Sequence, residues 1–291
     1  MTVIQSILLG ILQGIAEFLP ISSSGHLKVV QSLFGLNDVP LLYDIVLHLA
    51  TLIAVCIFFR KQIIRLFCVL GRWIFRKPEP EQSDEQDLIS GTDSRGRRAI
   101  IAILITTFIT GIIGIFTSKL IDDGISIKIT CAGFIITALL LILSSMLEKY
   151  YIKTGTEERD EKQKKGISIL QATVVGFFQG FGTFPGISRS GATIVGAQIS
   201  GVNRSAAGEY SFIVSIPAIL GAFVLELKKF LSNEIIAEPI GAVQIIAGCV
   251  SAFIFGYLSL TFLMKIIKKG KLEWFACYLI PVGILGMIFL K

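Results

Sequence analysis

Charge is what this 291-residue chain has least of. Asp, Glu, Lys and Arg make up 16% of it, against about 25% in an ordinary soluble domain. With 53% hydrophobic residues and a mean hydropathy of +0.75, a water-soluble globular protein is excluded. Paired cysteines are also missing. Cys56, Cys68, Cys131, Cys249 and Cys277 show no CxxC pairing or metal-ligand spacing, and four lie in apolar runs. They read as small buried hydrophobes. The N-terminus lacks the basic stretch of a cleavable signal and runs straight into a polar motif. The net charge of +6 has no soluble face of interleaved basic and aromatic residues behind it, so no nucleic-acid partner is expected.

What the chain does have is a series of apolar runs, several reaching the roughly 20 residues of a membrane crossing. The expectation is an all-α polytopic membrane protein. Residues 2–19 are apolar and stop at Pro20; residues 22–36 resume with too many polar groups to cross lipid alone. Non-helical backbone at membrane depth is tolerated only inside protein or beside water. Residues 2–36 therefore predict a re-entrant helix–break–helix hairpin. Spans follow at 40–59, 99–118 and 125–146. Between the first two, Ile63 to Phe75 reads as an interfacial amphipathic helix, and Pro78 to Arg98 as a solvated loop. The third span is reached by a turn at Asp122-Asp123-Gly124. A charged linker, 148–166, precedes a second hairpin at 167–202, broken at Pro185-Gly186. Three more spans follow at 207–228, 240–264 and 272–290.

The units are thus 1–147 and 167–291, each a hairpin plus three crossings. Three is odd, so two halves of one fold must lie inverted in the membrane, an inverted-topology repeat with two re-entrant hairpins and six transmembrane helices. One side of these six spans collects 20 of the 27 Lys and Arg residues, which makes it cytoplasmic.

The two hairpin tips repeat one another. Aligned from Gln13 and Gln179, seven of thirteen positions match, among them Ser22/Ser188, Ser24/Ser190 and Gly25/Gly191. Glu17 stands opposite Thr183, and Ser23 opposite Arg189. One copy holds an acid and His26; the other holds a guanidinium. Gln13 and Glu17 share a helix face at i, i+4. A carboxylate at this depth is a functional candidate, either a divalent-cation ligand with Gln13 beside it or a structural partner of Arg189. The cluster Ser22-Ser23-Ser24-Gly25-His26 opens a helix, where free N–H groups favour an anion; Gly25 allows close backbone approach. Ser188, Arg189, Ser190 and Thr193 repeat that geometry with a planar fork suited to phosphate. Together these groups describe phosphoryl chemistry on a lipid phosphate. Transport of the same lipid, as by a flippase, is the alternative. Asp44 and Glu209 read as helix-start acids or as supports for the hairpins, and His48 as a packed polar residue.

Gln-x-x-x-Glu, the Ser-Ser-Ser-Gly-His cluster and Pro-Gly-Ile-Ser-Arg-Ser-Gly-Ala-Thr, in this order and over this length, resemble the bacitracin-resistance type undecaprenyl-diphosphate phosphatases. The resemblance implies hydrolysis of undecaprenyl diphosphate to undecaprenyl phosphate, recycling a wall-polymer carrier in the bacterial plasma membrane. It implies a divalent cation (Mg²⁺ or Ca²⁺), a site opening to the extracytoplasmic face, and a polyprenyl diphosphate partner. A homodimer stays open as an assembly. By the same resemblance Glu17, His26, Ser23 and Arg189 are catalytic, and Ser22, Ser24, Ser188, Ser190 and Thr193 bind phosphate. Glu17 and Gln13 are the metal candidates, Gln13 standing where some members carry glutamate. Ser23 with His26 as its base is the expected nucleophile; His26 attacking directly is the other reading.

Overall fold

The computed structural model describes residues 1–36, 41–80, 89–122, 125–155, 165–231 and 240–290. Among these residues the chain is helical, with no strand. The helices are α1 (Val3–Phe18), α2 (Ser23–Leu33), α3 (Leu41–Phe58), α4 (Arg60–Ile74), α5 (Asp93–Asp122), α6 (Ile127–Thr154), α7 (Ile169–Phe181), α8 (Arg189–Ile199), α9 (Arg204–Leu231), α10 (Ala242–Lys269) and α11 (Glu273–Phe289). By length and composition four are fit to cross a membrane: α5, α6, α9 and α10. α3 and α11 belong with α1 and α7 among the shorter apolar helices.

The outside of this bundle is oil and its inside is partly polar. Leu104, Phe108 and Phe116 on α5 and Val243, Ile246 and Phe262 on α10 are exposed, while Thr106, Thr110, Thr130, Thr137 and Ser259 are buried. Water would penalise so continuous an apolar surface; lipid does not. In lipid the helices are drawn together by close packing and buried hydrogen bonds instead.

Both hairpins begin on the same device. Thr2 caps α1 and Ser168 caps α7, each in a capping box with the glutamine three residues on, Gln5 and Gln171. These reciprocal bonds satisfy N–H groups that a helix start leaves open. The first arm of each then packs on a long span of the other half: α1 on α10, and α7 on α5. Glycines four apart permit both approaches. A Cβ on Gly10 would sit 2.3 Å from Gly248 O, and one on Gly14 2.5 Å from Ala252 O. On α7, a Cβ on Gly176 would sit 3.0 Å from Thr106 O, and one on Gly180 2.6 Å from Ile113 Cβ. Buried hydroxyls complete the two contacts. Ser259 donates to Gly14 O at 2.8 Å, Thr106 to Ala172 O at 2.8 Å and Thr110 to Gly176 O at 3.3 Å.

Two expectations need correction. Pro78 to Arg98 is not solvated throughout: α5 starts at Asp93, and Ile89, Ser90 and Asp93 are buried. Arg72 Nε donates to both Asp93 carboxylate oxygens at 3.0 and 3.2 Å, and Glu79 Oε1 accepts from Asp93 N at 2.7 Å. These bonds clamp the amphipathic α4 to the start of α5; charge in this segment marked a joint as well as a wet surface. The linker expected at 148–166 also starts later, because α6 runs to Thr154. Residues 123–124, at the predicted turn, lie outside the described residues, as do 37–40, 81–88, 156–164 and 232–239.

Candidate active site between the hairpin tips

Each hairpin breaks where the backbone can no longer remain helical. Leu19 takes the extended conformation that precedes a proline (φ −59°, ψ 141°), as Pro20 requires. Ser22 then adopts φ 72°, an uncommon region for a residue with a side chain, and caps α2 by accepting from Gly25 N at 3.4 Å. In the second hairpin Gly186 makes the reversal at φ 86°. A Cβ there would lie 1.9 Å from Thr130 O, so only glycine fits. Ser188 caps α8 by accepting from Gly191 N at 3.2 Å.

The tips meet, and reciprocally. A Cβ built on Gly25 would come within 3.0 Å of Gly186 Cα; one on Gly191 would come within 3.2 Å of Pro20 Cβ. Gly25 and Gly191 are matching positions, as are Pro20 and Gly186. Each capping turn therefore rests on the break of the other hairpin, which brings two helix N-termini to one place. Thr137 on α6 fixes the second tip, donating to Gly186 O at 3.1 Å and accepting from Ser188 N at 2.9 Å.

Glu17 is the hub. Its Oε1 accepts from Arg189 Nη2 at 3.0 Å across 172 residues of chain. Its Oε2 accepts from Ser23 Oγ at 2.6 Å and from Gln13 Nε2 at 3.0 Å. The Glu17 side chain is 5% exposed and that of Arg189 23%, so the guanidinium can be reached while the carboxylate is enclosed. A buried carboxylate without such partners would be strongly unfavourable. His48 Nε2, from α3, stands 3.8 Å from Glu17 Oε2.

His26 occupies a separate cell one turn along α2. Its Nδ1 donates to Ser22 O at 2.9 Å, and the Tyr278 hydroxyl donates to its Nε2, also at 2.9 Å. Its ring also lies against Phe134, centroids 4.7 Å apart. Among the described residues no hydrogen bond joins His26 to Ser23. The expected serine–imidazole pair is replaced by a serine–carboxylate pair, because α2 directs Ser23 to Glu17 and His26 to α11.

The phosphate-binding candidates divide. Ser22 and Ser24 lie with hydroxyls 3.5 Å apart, Ser188 and Ser190 with theirs 3.1 Å apart, and Ser24 is exposed. The Thr193 hydroxyl is instead spent on Arg189 O, Ser190 O and the Ser211 hydroxyl of α9. It braces α8. Asp44 accepts from Gln31 Nε2 at 3.2 Å, linking α3 to α2, which favours its support reading over a plain helix-start acid. Glu209 lies half-buried on α9. Tyr278, Thr137 and Ser211 carried no local signal. His48 did: it sits i, i+4 from Asp44 on a buried-facing stretch.

The donor set suits a divalent cation in part. Gln13 Oε1 is buried with no hydrogen-bond partner, next to an anionic carboxylate. Among the described residues no group of three His, Cys, Asp or Glu side chains could hold a metal, so a cation here would need oxygens from a bound phosphate. A cavity of about 410 Å³ lies elsewhere, between α4 and the start of α5, and includes none of these side chains.

Comparison with known proteins gives a consistent result. The family described as bacitracin resistance protein BacA matches residues 6–285. A protein of Treponema denticola named undecaprenyl-diphosphatase is 46% identical over 98% of this chain and 96% of its own length. Proteins of the same name from Carboxydothermus hydrogenoformans and Borrelia recurrentis are 38% and 35% identical, covering 98% and 96% of this chain and 95% and 96% of their own lengths.

Proposed function

The chain belongs to the bacitracin resistance protein BacA family, and from that premise we propose how the tips of its hairpins work as an enzyme. The protein is a membrane phosphatase that hydrolyses undecaprenyl diphosphate to undecaprenyl phosphate and inorganic phosphate, recycling the lipid carrier. The observation that carries the assignment of its site is the Glu17–Arg189 pair, 3.0 Å across two hairpins. An acid and a guanidinium from opposite halves can grip one diphosphate only if the halves bring them together.

The roles follow from the contacts. Arg189 and the serine-capped N-termini of α2 and α8 receive the phosphate oxygens. Ser23 Oγ bonds the terminal phosphorus, the bond from that phosphorus to the bridging oxygen of undecaprenyl phosphate breaks, and the Ser23 proton passes to Glu17 Oε2. Water then bonds that phosphorus and gives a proton to His26, the bond to Ser23 Oγ breaks, and Glu17 returns its proton to Ser23 as inorganic phosphate leaves. Glu17 and the Gln13 amide oxygen would hold a divalent cation, which when bound supplies positive charge against the diphosphate. Support for serine as nucleophile is its 2.6 Å bond to the carboxylate; a flippase would need the arginine and helix ends but not that bond.

The exchange of partners between halves (α1 with α10, α7 with α5) supports the inverted repeat and six crossings, α3 and α11 included. The basic surplus on one side supports a plasma-membrane orientation with the tips reached from outside. The test is phosphate release from a polyprenyl diphosphate in detergent, with acid quenching to trap phosphate on Ser23. Full turnover in Arg189→Ala would defeat the two-hairpin site; wild-type-like trapping in Ser23→Ala would defeat the nucleophile.

A further inference from the structure

Tyr278 of α11 bonds a residue of the reaction, and no step above uses it. His26 Nδ1 lies 2.9 Å from Ser22 O. A backbone carbonyl only accepts, so Nδ1 carries the proton. The same carbonyl accepts from the His26 backbone N–H at 3.2 Å, which ties the ring to the cap of its own helix. Nε2 is then the nitrogen left to take a proton. Its single lone pair already accepts from the Tyr278 hydroxyl at 2.9 Å. Whatever His26 does as a base, it does at the atom Tyr278 holds.

The surroundings keep that bond in place. His26 is 6% exposed. Its ring lies against Phe134 of α6 and nearly parallel to the Tyr278 ring, 17° between planes and 5.7 Å between centroids. α11 is pressed onto α6 at Gly283, where a Cβ would sit 2.9 Å from Cys131 O, so the helices bearing Phe134 and Tyr278 form one slot for the imidazole. The Tyr278 ring is 46% exposed. An aliphatic side chain would serve an apolar, outward-facing position as well; what tyrosine adds there is the hydroxyl. A hydroxyl also suits a base that changes charge. It donates to neutral Nε2 and, once Nε2 has gained a proton, accepts from the imidazolium N–H. The bond reverses its sense and the ring keeps its place. A carbonyl or an ammonium would serve one of these states only.

We propose that Tyr278 is the positioning residue of His26: its hydroxyl aims Nε2 and holds the ring through proton uptake. In the second step water bonds the phosphorus, one water proton ends on Nε2, and the phosphorus bond to Ser23 Oγ breaks. Tyr278 keeps its own proton throughout. This role rests on the reading of His26 as a base.

A double-mutant cycle in the full-length protein, in detergent with a polyprenyl diphosphate, tests it. Tyr278→Phe deletes one oxygen and keeps the ring. It is expected to lower kcat at least about tenfold with KM changed by less than about twofold. More phosphate should stay on Ser23 after acid quenching than in the wild type. His26→Ala should be slower still. The two changes together should be no slower than His26→Ala alone, because the phenol acts only through the imidazole. Nitrogen NMR on protein labelled with ¹⁵N-histidine reads the bond without turnover. The chain has two histidines, so the signals that are lost in His26→Ala belong to His26. Its Nε2 signal should move towards that of a bare lone pair in Tyr278→Phe, with Nδ1 still protonated. If His26→Ala does not fold, the labelled wild type and Tyr278→Phe decide, because one of two Nε2 signals must then move. Losses that add in the cycle, wild-type turnover in Tyr278→Phe, or Nε2 signals that do not move overturn the positioning role. Non-additive losses and a moved signal, without extra phosphoserine in either single variant, uphold it and overturn instead the place of His26 in the second step.

Discussion

The two hairpins start from the same sequence plan and end with different duties. α8 buries nine of its eleven residues; α2 buries four of eleven. The second hairpin turns on a glycine that nothing else can replace. The first turns on Ser22, a residue with a side chain held at φ 72°, the kind of local strain that surrounding structure must sustain. Matching residues diverge in the same sense. Gln179 Nε2 reaches Thr110 of α5 at 3.0 Å and Thr183 lies 2.7 Å from Thr117. Their counterparts Gln13 and Glu17 reach each other, Ser23 and Arg189. One copy became a buried platform that delivers a single guanidinium. The other kept its polar groups uncommitted to the scaffold, and to these the chemistry is assigned in our proposal. The matching motifs place two capped helix starts together, and the differences at Glu17 and Arg189 supply complementary charge.

The largest expected effect would break the complementarity itself. Glu17→Ala and Arg189→Ala should each lower phosphate release by at least about a hundredfold in protein that still elutes as a folded species in detergent. Removal of Gly186 attacks the platform. Gly186→Ala places a methyl against Thr130 O and should cost about 3 kcal/mol or more, read as a loss of thermal stability or of folded yield. Gly35→Ala, at φ 67° with open space around it, should cost only about 1–2 kcal/mol. Thr137→Val removes both anchors of the second tip and should cost about 1–3 kcal/mol by thermal unfolding, with activity falling alongside. Ser22→Gly sharpens the contrast: it should gain about 1 kcal/mol by relieving the backbone, yet slow turnover because the Ser22 hydroxyl leaves the anion cradle. The smallest effect compares the glutamines. Gln13→Ala should raise the cation concentration needed for half-maximal activity, whereas Gln179→Ala should alter melting and not that concentration.

Much of this architecture was legible before any coordinates. The breaks at Pro20 and Pro185-Gly186, the four long apolar helices and the tip residues all follow from local chemistry, since proline, glycine and runs of apolar residues act on their own neighbourhood. The capping boxes Thr2-x-x-Gln5 and Ser168-x-x-Gln171 extend the repeat to its first residue and could have been read in the same way. Partners across the bundle could not. Tyr278 meets His26 from 252 residues away, and nothing in the apolar run around it distinguishes this ring from one facing lipid. Asp93 resembled loop charge because its ion pair with Arg72 depends on how α4 folds back.

By itself the sequence determined the medium, the breaks and the inventory of reactive groups, because hydropathy and backbone stereochemistry are properties of short stretches. Only the tertiary structure decided pairings: Ser23 with Glu17 rather than His26, Thr193 with Ser211, and His48 against the carboxylate. Those depend on where two crossed helix ends aim their side chains, and that direction is set by glycine-to-backbone contacts far apart in the chain.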